Sequence, residues 1–473
     1  MLTNTNHTQN QQRPRDLYKE LSQRKMVKIN SDKLSLAGFL TACTIIVFFG
    51  GFLVRDFKLF PYNYYAKAMQ GYKKLRNQVS GKLPKQLTRL DKPFPEISND
   101  NFQPYEGLNL VTKLGYKNNT RYAAAEIVDS QSNIIHEWDI NWFKMWPNPD
   151  HVAKELLPKE EPGAQIHGAV VMENGDLVFN FEYFGLIRIN LEGQVVWRLP
   201  YLTHHSLHLH DDGNLWVSGR IYHTENTPEL PHLTPPFYED TILEVSPEGK
   251  ILREWSVPKI LRKNGYTGLL HPKAIGNFQL KLNRDRSKDI LHLNDVEPFS
   301  LKMQEGIFER GDVVVSVRNI NTVFVFNTDT EKIKTLITGK FINQHDPDFV
   351  DGNTISVFDN NQGNDLDPDN FKSRIWLISL KDNTSKIFFE GSLDKPFYTN
   401  IMGKNQWLPN GNLLITESRS GRGFEINQQG DIVWQYINYV DQEKGIVANI
   451  SEVTRLPIEY TKLFGSEKES KKN

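Results

Sequence analysis

The chain has one cysteine, Cys43, among its 473 residues. An intramolecular disulfide framework, a CxxC zinc site and a dithiol redox site are therefore excluded, and stability has to come from packing. An excess of either charge is also lacking, with 56 Lys and Arg against 57 Asp and Glu. The balance hides an asymmetry: residues 1 to 92 carry 17 basic and 5 acidic side chains, leaving 39 and 52 for the rest. The acidic remainder argues against nucleic acid as a ligand, whereas the basic front end suits a membrane surface. With 38% hydrophobic and 11% aromatic residues there is ample material for a core, so disorder of the whole is excluded as well.

Long apolar runs are absent but for one. Leu34 to Val54 is 21 residues without a charge, long enough at about 1.5 Å rise per residue to span a hydrocarbon core. A cleaved signal peptide would be shorter and end in small residues, whereas here a polar tail of 33 residues precedes the run and Arg55-Asp56 follows it. Leu40 to Cys43 is similar to a lipobox, but the apolar run continues straight through it. The expected organisation is a cytoplasmic polar tail over 1–33, a transmembrane signal anchor over 34–54, a juxtamembrane segment and stalk over 55–106, a main domain over 107–457 and a polar tail over 458–473. Lys19, Arg24, Lys25, Lys28 and Lys33 before the span outnumber Arg55, Lys58 and Lys67 after it, which puts the main domain on the extracytoplasmic side.

The main domain repeats. Ile127 to Trp138, Ile189 to Trp197, Val245 to Trp255 and Ile426 to Trp434 share an apolar start, a turn bearing Gly or Asn and a strand ending in Trp. Gln165 to Val178, Thr203 to Val217, Gln344 to Val357 and Met402 to Ile415 are inner hairpins around NGD, DGN or NGN turns. An inner and an outer hairpin make a four-stranded blade, and His292 to Leu336 supplies another. The first blade, from about residue 107, has three strands, and Ile450 to Pro457 matches the missing one. The fold class expected is all-β, a six-bladed β-propeller closed by the C-terminal strand and preceded by a single transmembrane helix.

Equivalent positions on the innermost strands of a propeller stand around one axis. Here they are Ser451, His167, His205, His292, His345 and Gly403, and four of the six are histidine. Imidazole serves as nucleophile, acid or base near neutral pH. Arg318, in VVVSVRNIN, falls where a second strand approaches the same mouth, and its planar guanidinium suits an oxyanion such as sulfate or phosphate.

At these residues the sequence resembles the bacterial arylsulfate sulfotransferase family, six-bladed propellers of the cell envelope that move a sulfuryl group between phenols without a nucleotide donor. His205 in HHSLHLHDDGN is similar to the family's HHD segment, with Ser206 in place of the Asp. His292 and Asn294 in HLNDVEP resemble its H-x-N segment, and Arg318 its S-x-R strand. His345 in NQHDPDFVDGNTISVFDNNQ resembles the QH segment and FDN strand around the family's nucleophilic histidine. The resemblance covers roughly residues 107 to 457 and implies that His345 attacks sulfur and is transiently sulfated. It further implies that His292 and Arg318 hold the sulfuryl oxygens, and that His205 protonates the leaving phenolate and later deprotonates the acceptor hydroxyl. His167, Asn294, Asp359 and Asn360 are expected as substrate contacts. The implied partners are an aryl sulfate donor, a hydroxyl acceptor and, through one helix, a membrane; no cofactor and no metal are implied.

Two other readings fit the residues. Four axial histidines could ligate a transition metal, although Arg318 beside them would repel a dication. A membrane-anchored propeller could also be a non-catalytic binding platform in the envelope.

Overall fold

The computed structural model describes residues 31–56, 60, 64, 68–69, 83–94, 103–117, 120–231, 233–271, 288–362 and 372–470. The chain divides into two units, Met1–Leu83 and Pro84–Asn473. In the first, Ser31–Asp56 form one helix, α1, over the apolar run. Thr44 Oγ1 donates back to Leu40 O at 2.8 Å, which keeps a hydroxyl satisfied within an apolar stretch. Among the described residues no helix is long and apolar enough to cross a membrane, and the expected anchor rests on the sequence pattern alone. Most of the expected cytoplasmic tail, residues 1–30, lies outside the described residues, as does much of the juxtamembrane segment.

Six antiparallel sheets of four strands make up most of the second unit. Five follow the chain: Ile166–Val171 (β1) to Val195–Leu199, Leu202–Leu209 (β2) to Ile251–Ser256, Leu293–Pro298 (β3) to Ile333–Thr338, His345–Asp351 (β4) to Thr384–Glu390, and Lys404–Trp407 (β5) to Ile432–Ile437. The sixth joins distant parts of the chain, with Ile450–Arg455 (β6) paired to Asn109–Lys117, which continues into Thr120–Val128 and Ile134–Ile140. β1 lies against β2, and each first strand against the next through β6, which returns to β1. Six first strands therefore close a ring with no free edge at its centre, the arrangement of a β-propeller.

The repeated tryptophans explain how the sheets are held together. The indole N–H of Trp138 donates to Asn190 O at 3.0 Å, that of Trp197 to Pro247 O at 2.9 Å, and that of Trp255 to Thr328 O at 3.1 Å. In each case the acceptor is in the outer turn of the following sheet. Trp434 donates to Ser130 O at 2.9 Å and carries the same link across the closure, from the β5 sheet to the β6 sheet. A buried indole with its N–H satisfied combines a large apolar contact with a hydrogen bond worth about 1 kcal/mol. Apolar side chains between neighbouring sheets form the core, with Trp138, Ile166, Phe179 and Phe181 in one such layer.

Two expectations are corrected. The segment 55–106 is not a stalk throughout: Leu87–Arg89 is a strand paired to Ile446–Ala448, itself paired to Tyr439–Asp441. Phe94 adds a ring 4.2 Å from the Arg422 guanidinium. Likewise the polar tail 458–473 opens as a helix, α2, over Tyr460–Ser470. Phe464 is fully buried against His136 and Trp138, and Tyr460 donates to Val171 O at 3.0 Å. Their four-residue spacing puts the two rings on one helical face, a pattern too short to stand out among the charges around it.

Candidate active site

The register of five inner strands slips where they meet the axis, at His167-Gly168, His205-Ser206, Asn294, Asp346 and Ser451. Such bulges re-aim side chains that a regular strand would send into the sheet. His205 and His292 adopt φ of 53° and 58°, in the left-handed region that non-glycine residues seldom occupy and that concentrates at functional sites. Gly168 has φ of 76°, and a Cβ there would stand 2.2 Å from His205 O. The resulting cavity draws on all six inner strands, and His167, His205, Asn294, His345, Gly403 and Ser451 are among its lining residues. The axial positions expected from the repeat thus converge; His292 joins them through a 3.2 Å contact between its Nε2 and that of His205.

His345 is 4% exposed and is held by its Nδ1. Asn360 Oδ1 lies 2.6 Å away and Asn343 O 3.0 Å away. Both are acceptors, because Asn360 Nδ2 is committed to Thr399 O and Met402 O at 2.9 and 2.7 Å. Nδ1 therefore carries the ring proton and Nε2 the lone pair. Burial, and then the charge of Arg318, hold His345 well below its ordinary value of 6.5 against the pull of the Asn360 hydrogen bond. That favours the neutral ring, with its lone pair on Nε2.

His205 stands at the middle of a file of imidazoles. Its Nε2 faces His292 Nε2 at 3.2 Å and its Nδ1 faces His204 Nδ1 at 2.9 Å. His292 Nδ1 lies 2.5 Å from Asp289 Oδ2. A carboxylate accepts, so His292 Nδ1 donates, and with neutral rings one pattern satisfies every contact: His205 Nε2–H to His292 Nε2, and His204 Nδ1–H to His205 Nδ1. Burial lowers His204, His205 and His292, the last against the pull of Asp289. In this pattern His292 Nε2 accepts from His205 and its Nδ1 donates to Asp289.

Arg318 opens the turn that follows Asp312–Val317. Its charge acts on both His345 and His292. A second guanidinium, Arg220, is layered 3.7 Å from the Tyr183 ring and 3.9 Å from the Tyr238 ring. The Tyr183 ring in turn lies 5.2 Å from His204.

The remaining expected contacts divide. Asn294 lines the cavity and donates through Nδ2 to Gln344 O at 2.8 Å. Asn360 holds the His345 ring by its Nδ1. Asp359 spends its carboxylate inside the sheet, accepting from Ile342 N, Asn361 N and Trp376 Nε1 at 2.9, 3.0 and 3.2 Å. It is not among the residues that line the cavity. His167 Nδ1 lies 3.7 Å from Glu182 Oε1, and its ring is 4.5 Å from that of His205. His167, Glu182 and His205 offer ligand atoms within 4.8 Å of one another, the one grouping among the described residues that could hold a metal ion. Ser206, where the resemblance puts an Asp, ties strands together: its Oγ meets Ser218 Oγ at 3.1 Å and accepts from Val296 N at 3.0 Å. Lys404 joins the cavity lining from β5, 3.2 Å from Asp346 and 3.7 Å from Glu452. Burial alone would lower it, but Asp346, Glu452 and Asp295 outweigh burial and keep it charged. His204, Asp289, Arg220 and Lys404 were not singled out by sequence. His204 and Asp289 had a visible signal there, as near neighbours of His205 and His292.

A family model described as Arylsulfotransferase (ASST) matches residues 169–439. No curated protein matches the chain. Among solved structures, a protein of unknown function from Bacteroides caccae is 14% identical with a TM-score of 0.44, the match covering 74% of this chain and 98% of that one. A virginiamycin B lyase from Staphylococcus aureus, crystallised with quinupristin, is 10% identical with a TM-score of 0.37, covering 76% and 89%.

Proposed function

The chain belongs to the arylsulfotransferase family, and from that premise we propose that it moves a sulfuryl group from an aryl sulfate to a phenolic or other hydroxyl acceptor through a sulfated His345. The orientation of His345 carries this reading: two oxygens hold Nδ1–H, at 2.6 and 3.0 Å, and leave the Nε2 lone pair free to attack. In the first half-reaction the S–N bond to Nε2 forms as the S–O bond to the phenol breaks, and the departing oxygen takes the His205 Nε2 proton, which turns from His292 Nε2 to reach it. In the second, His205 takes the proton of the acceptor hydroxyl, whose oxygen attacks sulfur and restores His345. Arg318 supplies fixed positive charge beside the sulfuryl oxygens throughout.

The six four-stranded sheets serve in this reading as the six blades of the propeller, with β6 closing the ring. The anchor is the uncharged run 34–54, with the propeller on the extracytoplasmic side. The supports are the run's length and the basic residues before it. Full-length protein should remain in membranes after a carbonate wash, and release by that wash refutes the anchor. Initial rates against donor at several acceptor concentrations should give parallel double-reciprocal lines. Intersecting lines would show that both substrates must be bound together and would exclude a sulfated enzyme.

A further inference from the structure

The file of imidazoles runs on behind His205, away from the cavity. His204, on β2, is 2% exposed, and Asp240, on Phe237–Val245 of the same sheet, is 3% exposed. Neither lines the cavity. His204 Nε2 has no hydrogen-bond partner and faces Asp240 Oδ1 at 3.8 Å. Asp240 Oδ2 accepts from Leu293 N at 3.3 Å, which leaves Oδ1 toward the ring.

This arrangement answers a chemical difficulty in the sulfuryl-transfer reading, on which the inference rests. A neutral imidazole that surrenders its one proton becomes an imidazolate, a step far too costly for a general acid unless a second proton reaches the other nitrogen as the first departs. We propose that His204 and Asp240 form a proton store for His205. As His205 Nε2–H passes to the departing phenolate oxygen, His204 Nδ1–H passes to His205 Nδ1, and the Asp240 carboxyl proton passes to His204 Nε2. The phenol leaves neutral, each imidazole still has one N–H, and the negative charge ends on the Asp240 carboxylate. The second half-reaction runs the file backward: the acceptor's proton enters at His205 Nε2 and a proton returns to Asp240. The 3.8 Å gap is bridged by a small side-chain movement or one water.

The surroundings of Asp240 suit a group that is protonated at rest and ionised once per cycle. Burial, and then the charge of Asp289, push it up to about 8, so it holds its proton at neutral pH. Arg220 and the backbone N–H groups of Leu293 and His292 pull the other way and stabilise the carboxylate once formed. The titratable and charged groups that face it are therefore His204 from β2, Arg220 from Leu215–His223, His292 at the head of β3, and Asp289.

The test measures kcat/KM for phenol release from para-nitrophenyl, phenyl and para-methoxyphenyl sulfate between pH 6 and 10, with the full-length protein and its Asp240→Asn and His204→Gln variants. The unsubstituted protein should lose activity on the basic-phenol donors as pH rises through Asp240 ionisation. Both variants should lose about 100-fold on phenyl sulfate, whose phenolate needs the proton, but only about threefold on para-nitrophenyl sulfate, and Asp240→Asn should lack the alkaline limb. An equal loss on all three donors with the limb retained would overturn the proton store and reduce the two residues to packing. Should either variant fail to fold, the unsubstituted protein decides: rates in H2O–D2O mixtures that curve with deuterium fraction mean several protons in flight, and a linear dependence overturns the proposal. Failure of the unsubstituted protein to release any phenol would instead defeat the sulfuryl-transfer reading.

Discussion

Asn360 Oδ1 accepts the His345 Nδ1 proton at 2.6 Å, and the same amide anchors itself by donating to two backbone carbonyls. One side chain thus fixes both the tautomer and the plane of the ring. Asn360→Ala should lower kcat for sulfuryl transfer by about 10-fold or more, the rate equivalent of one lost hydrogen bond, with KM nearly unchanged. Asn360→Asp keeps an acceptor at Nδ1 but turns its second oxygen on the Thr399 and Met402 carbonyls, so it should recover only part of kcat. Equal rates for the alanine and parent proteins would show that Asn343 O alone positions the ring.

Arg318 is the fixed cation whose charge reaches both His345 and His292. Arg318→Met should lower kcat/KM for an aryl sulfate by about 100-fold to 1000-fold, the range for removing one charge-stabilising donor. Arg318→Lys should recover only part, because a point charge cannot grip two oxygens. Treatment with a chelator should leave the rate unchanged. A rate lost on chelation and restored by zinc would transfer the chemistry to His167, Glu182 and His205.

Gly168 lies where the β1 bulge passes over β2, at φ of 76°, with His205 O 2.2 Å from any Cβ placed there. Gly168→Ala should destabilise the fold by about 1–3 kcal/mol through backbone strain and overpacking. It should also reduce turnover, since the carbonyl that must yield is that of His205. Denaturant unfolding measures the first effect and phenol release the second. Unchanged stability would mean that the two strands separate readily.

His208, on β2, is pushed down to about 3 by burial and then by the charge of Lys404. Its unfolded value is the ordinary 6.5. The unfolded chain therefore takes up a proton that the native state refuses, and the stability contributed by this residue is complete above pH 6.5 and lost as pH falls toward 3. Between pH 7 and 5 the parent protein should lose about 2 kcal/mol more than His208→Gln. Identical losses in urea titrations at the two pH values would show that His208 is not held neutral.

The sheet order and the axial histidines were legible because a propeller repeats. His167, His205 and His345 recur at one offset from their inner turns, and the ring closure was visible in Ile450 to Pro457. The tryptophans marked the repeat, but their purpose, indole N–H groups tying four of the six sheets to the next, depends on partners as much as 304 positions away in the chain. Asp240 was hidden for the same reason, since it meets His204 from another strand of the sheet, whereas Asp289 stands only three residues before His292 and was overlooked. The surroundings of Asp359 were not legible because a strand-end FDN segment looks the same whether its carboxylate faces the axis or caps backbone N–H groups, and the register decides. The strand Leu87–Arg89 and the helix after Tyr460 were missed because each is too short to show a period.

The central claim is that His345 Nε2 becomes sulfated. The most direct test is the intact mass of the full-length protein after brief exposure to para-nitrophenyl sulfate without an acceptor, followed by peptide mapping and alongside His345→Asn. The account requires an added mass of one sulfuryl group on the peptide holding His345, absent in the variant and discharged when a phenol is added. Release of para-nitrophenol with no adduct on that peptide, or an adduct that a phenol does not discharge, would contradict it.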